Sequence, residues 1–165
     1  MIIMLNELEK AQNQKQDLEG SVDMNGIKIP NLSFKQFVFK GQAQKEADLV
    51  RVHGEITGIM KTKCSRCITP IEHIFQTPFD EQFAELPTEE ESEIHTFHGG
   101  KIELNPYFQQ TTLLEMPQIF TCEDTCKGLC PTCGVNWNEQ ICSCNNERID
   151  PRLADLALLF NQDNK

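Results

Sequence analysis

Leu49-Val50-Arg51-Val52-His53-Gly54-Glu55-Ile56-Thr57-Gly58-Ile59 alternates apolar and polar residues, and Ile71-Glu72-His73-Ile74-Phe75-Gln76-Thr77-Pro78-Phe79 follows soon after a gap that holds Cys64-Ser65-Arg66-Cys67. Alternation with a period of two puts the apolar side chains on one strand face, so the two runs read as the arms of a β-hairpin. The Cys-x2-Cys turn then lies at the tip, where two thiolates three positions apart can face one metal ion. Working outward, Phe34, Phe37, Val38 and Phe39 mark an earlier strand, and Gly99-Gly100 turns into a short one, Lys101 to Leu104. Asn105-Pro106 reads as a helix start, with Asn as the cap and Pro in the first position, running through Tyr107, Leu113 and Leu114 to Pro117. Asn6 to Glu19 has helix-favouring composition and Gly20 as a stop, whereas Asp80 to Glu93, with seven acids and Pro87, reads as a solvated connector. Asp150-Pro151 opens a closing helix whose face carries Leu153, Leu156 and Phe160, widened by Leu158 and Leu159.

These elements predict an α+β protein with a mainly antiparallel sheet or partly closed barrel over residues 34–104, short helices and a C-terminal zinc lobe. The expected division is a mixed N-terminal extension (1–33), a β-rich core with the metal-bearing hairpin (34–117), a cysteine-rich lobe (118–147) and a terminal helix (148–165).

All eight cysteines of the chain sit in metal-like spacings: Cys64 and Cys67, then Cys122, Cys126, Cys130, Cys133, Cys142 and Cys144. Eight sulfurs make two tetrahedral cages, and spacing alone allows more than one pairing. Gly134, directly after Cys133, permits a left-handed turn in which backbone N–H groups point at sulfur. Cys142-Ser143-Cys144 projects both sulfurs from one face of an extended segment. The start of the chain, Met1 to Glu7, shows neither the basic region nor the apolar run of a secretory signal, so a reducing cytoplasmic setting is expected. In that setting metal ligation outweighs a disulfide framework, and the short turns favour zinc over an iron–sulfur cluster. Trp137, within the second cysteine loop, reads as a lid over the metal turn rather than a base-stacking platform.

The formal net charge is −10, unevenly spread: residues 1–70 carry a net +2 and the remainder −12. A general nucleic-acid binder carries a basic footprint, which this chain lacks, so any RNA contact is local, with Lys61, Lys63 and Arg66 beside the first knuckle as candidates. Arg66 either offsets thiolate charge or touches phosphate. Catalytic signals are thin. His53, His73, His95 and His98 are scattered, without a metal-helix spacing or a nucleophile motif, and no phosphate loop or dinucleotide fingerprint is present. A catalytic zinc keeps one position open for water, whereas two sets of four thiolates are closed.

Val52 to Cys67 with its small Gly54, then Cys122-Glu-Asp-Thr-Cys126-Lys-Gly-Leu-Cys130-Pro-Thr-Cys133-Gly-Val-Asn-Trp-Asn138, Cys142-Ser-Cys144 and Asp150-Pro-Arg-Leu153, resemble the YceD family of large ribosomal RNA subunit accumulation proteins. The likeness covers roughly Phe34 to Phe160; Ser65 stands where many relatives have Asp, and Trp137 where most have Leu. The resemblance implies one site from Cys64, Cys67, Cys122 and Cys126 and another from Cys130, Cys133, Cys142 and Cys144. It also implies a non-enzymatic factor in large-subunit rRNA accumulation, with rRNA or a ribosome-assembly protein as partner and neither membrane nor small-molecule substrate. Its rivals are a thiol redox switch or redox-regulated chaperone that releases zinc, and a zinc-dependent RNA-processing enzyme.

Overall fold

Three long antiparallel strands carry the molecule. The computed structural model describes residues 1–85 and 94–145. In chain order the elements are β1 (Ile2–Met4), α1 (Leu5–Lys10), a 3-10 turn (Gln12–Gln14), β2 (Lys15–Ser21), β3 (Ser33–Glu46), β4 (Leu49–Lys63), β5 (Pro70–Ala84), β6 (Ile94–Thr96), β7 (Lys101–Glu103) and α2 (Asn105–Glu115). A five-stranded sheet runs β2-β3-β4-β5-β6, and β1 pairs with β7 in a separate two-stranded ribbon. All pairings are antiparallel except β5 with β6, which is parallel.

The alternation read in β4 decides which face is covered. Val50, Val52, Ile56 and Met60 are buried on one side, and Phe75, Phe79 and Phe83 of β5 join them. Phe108 of α2 seals this face, its ring centroid 4.6 Å from Phe39 and 4.8 Å from Phe79. The opposite face carries cross-strand ion pairs: Arg51 with Asp80, Lys40 with Glu19 and Lys61 with Glu72. Such exposed pairs fix little stability but suit a solvated sheet face.

Two glycines let the strands meet. Gly41 and Gly54 lie opposite each other in the register, and a Cβ on Gly54 would sit 2.3 Å from the Lys40 carbonyl oxygen and 2.9 Å from the Phe39 ring. Further along, the register shifts between Lys35 and Val38, so Gln36 (φ 52°) and Phe37 together oppose Gly58. That bulge drops the Phe37 ring into the space a Gly58 side chain would fill.

Several expectations change. Of Asn6 to Glu19 only the start is helical; Lys15–Ser21 is strand β2, with Leu18 buried and Gly20 paired to Phe39 rather than ending a helix. Ladder pairing to β3 and burial of Leu18 override a weak helical preference. The sheet is open, and no closed barrel forms among the described residues. The acidic stretch begins inside β5, where Phe83 and Ala84 are buried; its remaining residues 86–93 lie outside the described residues, as does the expected helix from Asp150 to Phe160. Asn105 is the first residue of α2 and not its cap, which is Leu104. The Asn105 side chain instead accepts from the Asp23 N–H at 2.8 Å and donates to the Asp23 carbonyl at 2.9 Å. Gln109 donates to the same carbonyl at 2.6 Å, so α2 is tied to the β2–β3 connection.

Gly54→Ala should cost roughly 1–3 kcal/mol, because its Cβ meets backbone that cannot yield. Gly26→Ala, whose Cβ would find nothing within 4 Å, should stay within about 0.5 kcal/mol of the parent in the same urea titration.

Candidate metal centre

The hairpin formed by β4 and β5 delivers the first two sulfurs. Lys63 pairs with Pro70, and between them Cys64 N–H donates to the Thr69 carbonyl at 2.8 Å while Ile68 N–H donates to Cys64 at 2.9 Å. This folds residues 64–69 into a tight knuckle. Its fifth residue, Ile68, is held at φ 64°, in the left-handed region that glycine favours and β-branched residues avoid. In the second knuckle Gly134 takes the equivalent place after Cys133, at φ 74°. The two turns share one backbone shape, and only the second has the residue suited to it.

The structure brings the sulfurs together in two groups, Cys64 with Cys67, Cys122 and Cys126, and Cys130 with Cys133, Cys142 and Cys144; within each group they lie within 4.8 Å of one another. A tetrahedral ion held about 2.3 Å from each sulfur needs sulfur–sulfur edges of roughly 3.8 Å. Cys64 Sγ is 3.8 Å from Cys126 Sγ, and Cys67 Sγ is 3.6 Å from Cys122 Sγ, so two edges of the first group have the required length and the others lie within 4.8 Å. All eight thiols are free of disulfides. Cys64, Cys67 and Cys126 are buried against Ile71 and Leu129, while Cys122 is exposed. In the second group Cys130 is buried, Cys142 and Cys144 are half-buried and Cys133 is exposed.

The donors around the sulfurs favour thiolates. Burial opposes ionisation of Cys64, yet the backbone N–H groups of Cys67, Arg66 and Cys122 outweigh it and hold its pKa at about 6. The Thr69 hydroxyl, 3.3 Å away, lowers that of Cys67. In the second group the Trp137 indole N–H reaches Cys142 Sγ at 3.3 Å and lowers its pKa. One thiol in each group moves the other way. Sharing a hydrogen with Cys126 pushes Cys122 up to about 12, and sharing one with Cys133 does the same to Cys144. Four thiolates at these distances cannot all be anionic without a cation among them, so each group can trade its retained protons for a metal ion.

Backbone and side chains lock the lobe onto the hairpin tip. Ser65 N–H donates to the Phe120 carbonyl at 2.7 Å and Leu129 N–H to the Arg66 carbonyl at 3.1 Å. The Arg66 guanidinium donates to the carbonyls of Asp124 (3.2 Å) and Cys126 (3.0 Å). Gly128 (φ 79°) passes so close that a Cβ would lie 3.1 Å from the Arg66 carbonyl oxygen. The three candidate RNA contacts thus differ: Arg66 holds the lobe, Lys61 pairs with Glu72, and Lys63 is exposed with no ion pair among the described residues. His95 bonds Glu81 at 3.0 Å beside Tyr107 and Phe83, away from the sulfurs. Thr69 and Asn138, whose amide Nδ2 lies 3.3 Å from Cys126 Sγ, carry no sequence signal beyond their place near the cysteines.

No helix among the described residues is long and apolar enough to cross a membrane. The family model for the large ribosomal RNA subunit accumulation protein YceD matches residues 52–160. The chain is 27% identical to the uncharacterized protein YlbN of Bacillus subtilis over 96% of both chains. It is 32% identical to the uncharacterized protein Rv2926c of Mycobacterium tuberculosis over 66% of this chain and 54% of that one. A shorter likeness, 31% over 38% of this chain and 19% of the relative, joins it to the Arabidopsis thaliana large ribosomal RNA subunit accumulation protein YCED homolog 1, chloroplastic. No solved structure matches the chain.

Metal analysis of protein purified without chelator should give about two ions per chain, and Cys67→Ser or Cys133→Ser should each remove about one. Because binding displaces protons from sulfur, lowering the pH should release metal and raising it should restore loading. Ile68→Gly should leave metal content unchanged and raise stability by about 1 kcal/mol, since glycine relieves the positive φ; a loss of stability would show that the Ile68 side chain is needed there.

Proposed function

The chain belongs to the YceD family, and from that membership we propose that it is a non-enzymatic, zinc-stabilised factor supporting accumulation or assembly of large-subunit ribosomal RNA. The observation that carries this reading is that the matched residues 52–160 take in both sulfur groups together with the strand that presents the first. All-sulfur donor sets at tetrahedral spacing suit zinc, a borderline-soft ion without a geometric preference of its own. Zinc in such a set is architectural: four thiolates fill its coordination and leave no position for the water that a hydrolytic zinc activates. A reducing compartment, the cytoplasm, keeps the thiols available.

The partner is rRNA or a protein that accompanies it. The name of the chloroplastic relative points to the large subunit. With a formal net charge of −10, and with Arg66 and Lys61 already engaged, the hairpin offers phosphate a small contact at Lys63 and Lys35, which form no ion pair among the described residues. Firm association then needs a protein component of the particle.

Affinity capture under mild salt should bring down large-subunit precursor particles. Isolated protein should bind naked large-subunit RNA fragments weakly, with a log–log salt slope no steeper than about 2, and Lys35→Ala with Lys63→Ala should flatten it further. Tight binding with a steep slope that survives this double change would refute the partner requirement. Absence of precursor particles from the capture would refute the assembly role.

A further inference from the structure

The dipeptide Trp137-Asn138 reaches from the second sulfur group back to the first. Trp137 and Asn138 lie in the loop between Cys133 and Cys142, so by sequence they belong to the second group. The Trp137 indole N–H points at Cys142 Sγ, 3.3 Å away, within that group. The Trp137 backbone N–H instead donates to the Gly128 carbonyl at 2.9 Å, in the segment joining Cys126 to Cys130. Asn138 completes the crossing. Its side-chain Nδ2 donates to Cys126 Sγ of the first group at 3.3 Å, and its Oδ1 accepts the Lys127 N–H at 2.8 Å. Asn136 Oδ1 receives both the Asn138 N–H (3.1 Å) and its Nδ2 (2.8 Å), so the amide is held in one orientation.

We propose that Asn138 is a positioning residue that couples the two metal sites, so that loading of the second, sequence-local site sets the affinity of the first. This rests on both sulfur groups being metal sites. An N–H donated to a coordinated thiolate spreads its charge and orients it, and loss of such an outer partner costs about 10- to 100-fold in metal affinity. Asn138 can supply that bond only when the Cys133–Cys142 loop is folded. Metal in the second group folds it, because a short loop without a core of its own depends on its ion. Filling the second site therefore delivers a finished donor to Cys126, and the first site then closes the lobe onto the hairpin tip. The coupling is reciprocal, as any equilibrium linkage must be.

The test uses full-length protein titrated with cobalt(II), whose thiolate absorption reports each tetrahedral site, in competition with a chelator of known affinity. In the parent chain two ions should bind, and Cys142→Ser with Cys144→Ser should weaken the remaining site about tenfold or more. Asn138→Leu should weaken the first site by a similar factor while leaving unchanged the affinity of the second site measured with the first empty, and in that background disabling the second site should have little further effect. Asn138→Asp keeps the acceptor for the Lys127 N–H but sets an anion against Cys126, so it should weaken the first site at least as much as Leu does. Cadmium-113 NMR gives an independent signature: the resonance of the first site should move in the Asn138 variants and that of the second should not. Two ions bound with a first-site affinity indifferent to Asn138 would overturn the coupling and leave the metal reading standing. Fewer than two ions in the parent chain would overturn the metal reading and the coupling with it.

Discussion

The sulfur cluster that joins Cys64 and Cys67 to Cys122 and Cys126 is the constraint on which the C-terminal half depends. It ties residues 62 positions apart in one pair and 55 in the other, so its closure bears a substantial loop entropy that only strong bonds offset. The covering lobe has little else to hold it. Its buried residues among those described are Cys126, Gly128 and Cys130, and the rest is exposed or half-buried. Hydrogen bonds from Ser65, Arg66 and Leu129 then fix the angle at which the lobe sits on the tip.

Such a clamp needs a stiff anvil, and the long hairpin provides it. β4 and β5 stay in register from Leu49 opposite Ala84 to Lys63 opposite Pro70, and the knuckle continues from them without a break. Phe39, Phe79 and Phe108 pack as one aromatic group below, and β2 with the Asp23 tie to α2 braces the far side. Rigidity in the sheet is thus converted into a fixed position for two sulfurs, from which a metal ion could hold the other two sulfurs and the lobe that carries them.

The hairpin and the cysteine pair at its tip were legible because a strict period of two and a Cys-x2-Cys spacing are local signals. Separate clustering of the sulfurs was open on spacing alone; the family resemblance implied the division that the geometry displays. What escaped was set by tertiary context. Lys15 to Glu19 looked helical because its polar residues are good helix formers, yet pairing with β3 makes it part of a strand. The knuckle at Cys64 to Ile68 lacks the glycine that advertises the one at Cys130 to Gly134, although both bend alike. Arg66 read as either an offset to thiolate charge or a phosphate contact; that its guanidinium also reaches two lobe carbonyls is a contact between residues 58 and 60 positions apart, which sequence does not display. Asn138 ends a stretch of the family motif, but its contact with Cys126 was hidden for the same reason.

If both sulfur groups hold metal, the lobe is ordered by its ions and not by a core of its own, on a sheet that folds independently. Hydrogen exchange along the full chain, before and after removal of metal by a strong chelator under reducing conditions, tests it most directly. Amides of residues 122–144 should lose protection together with those of the 64–69 knuckle, while β3, β4 and β5 below the tip keep theirs. A lobe that stays protected without metal, or a sheet that loses protection in step with the lobe, would contradict it.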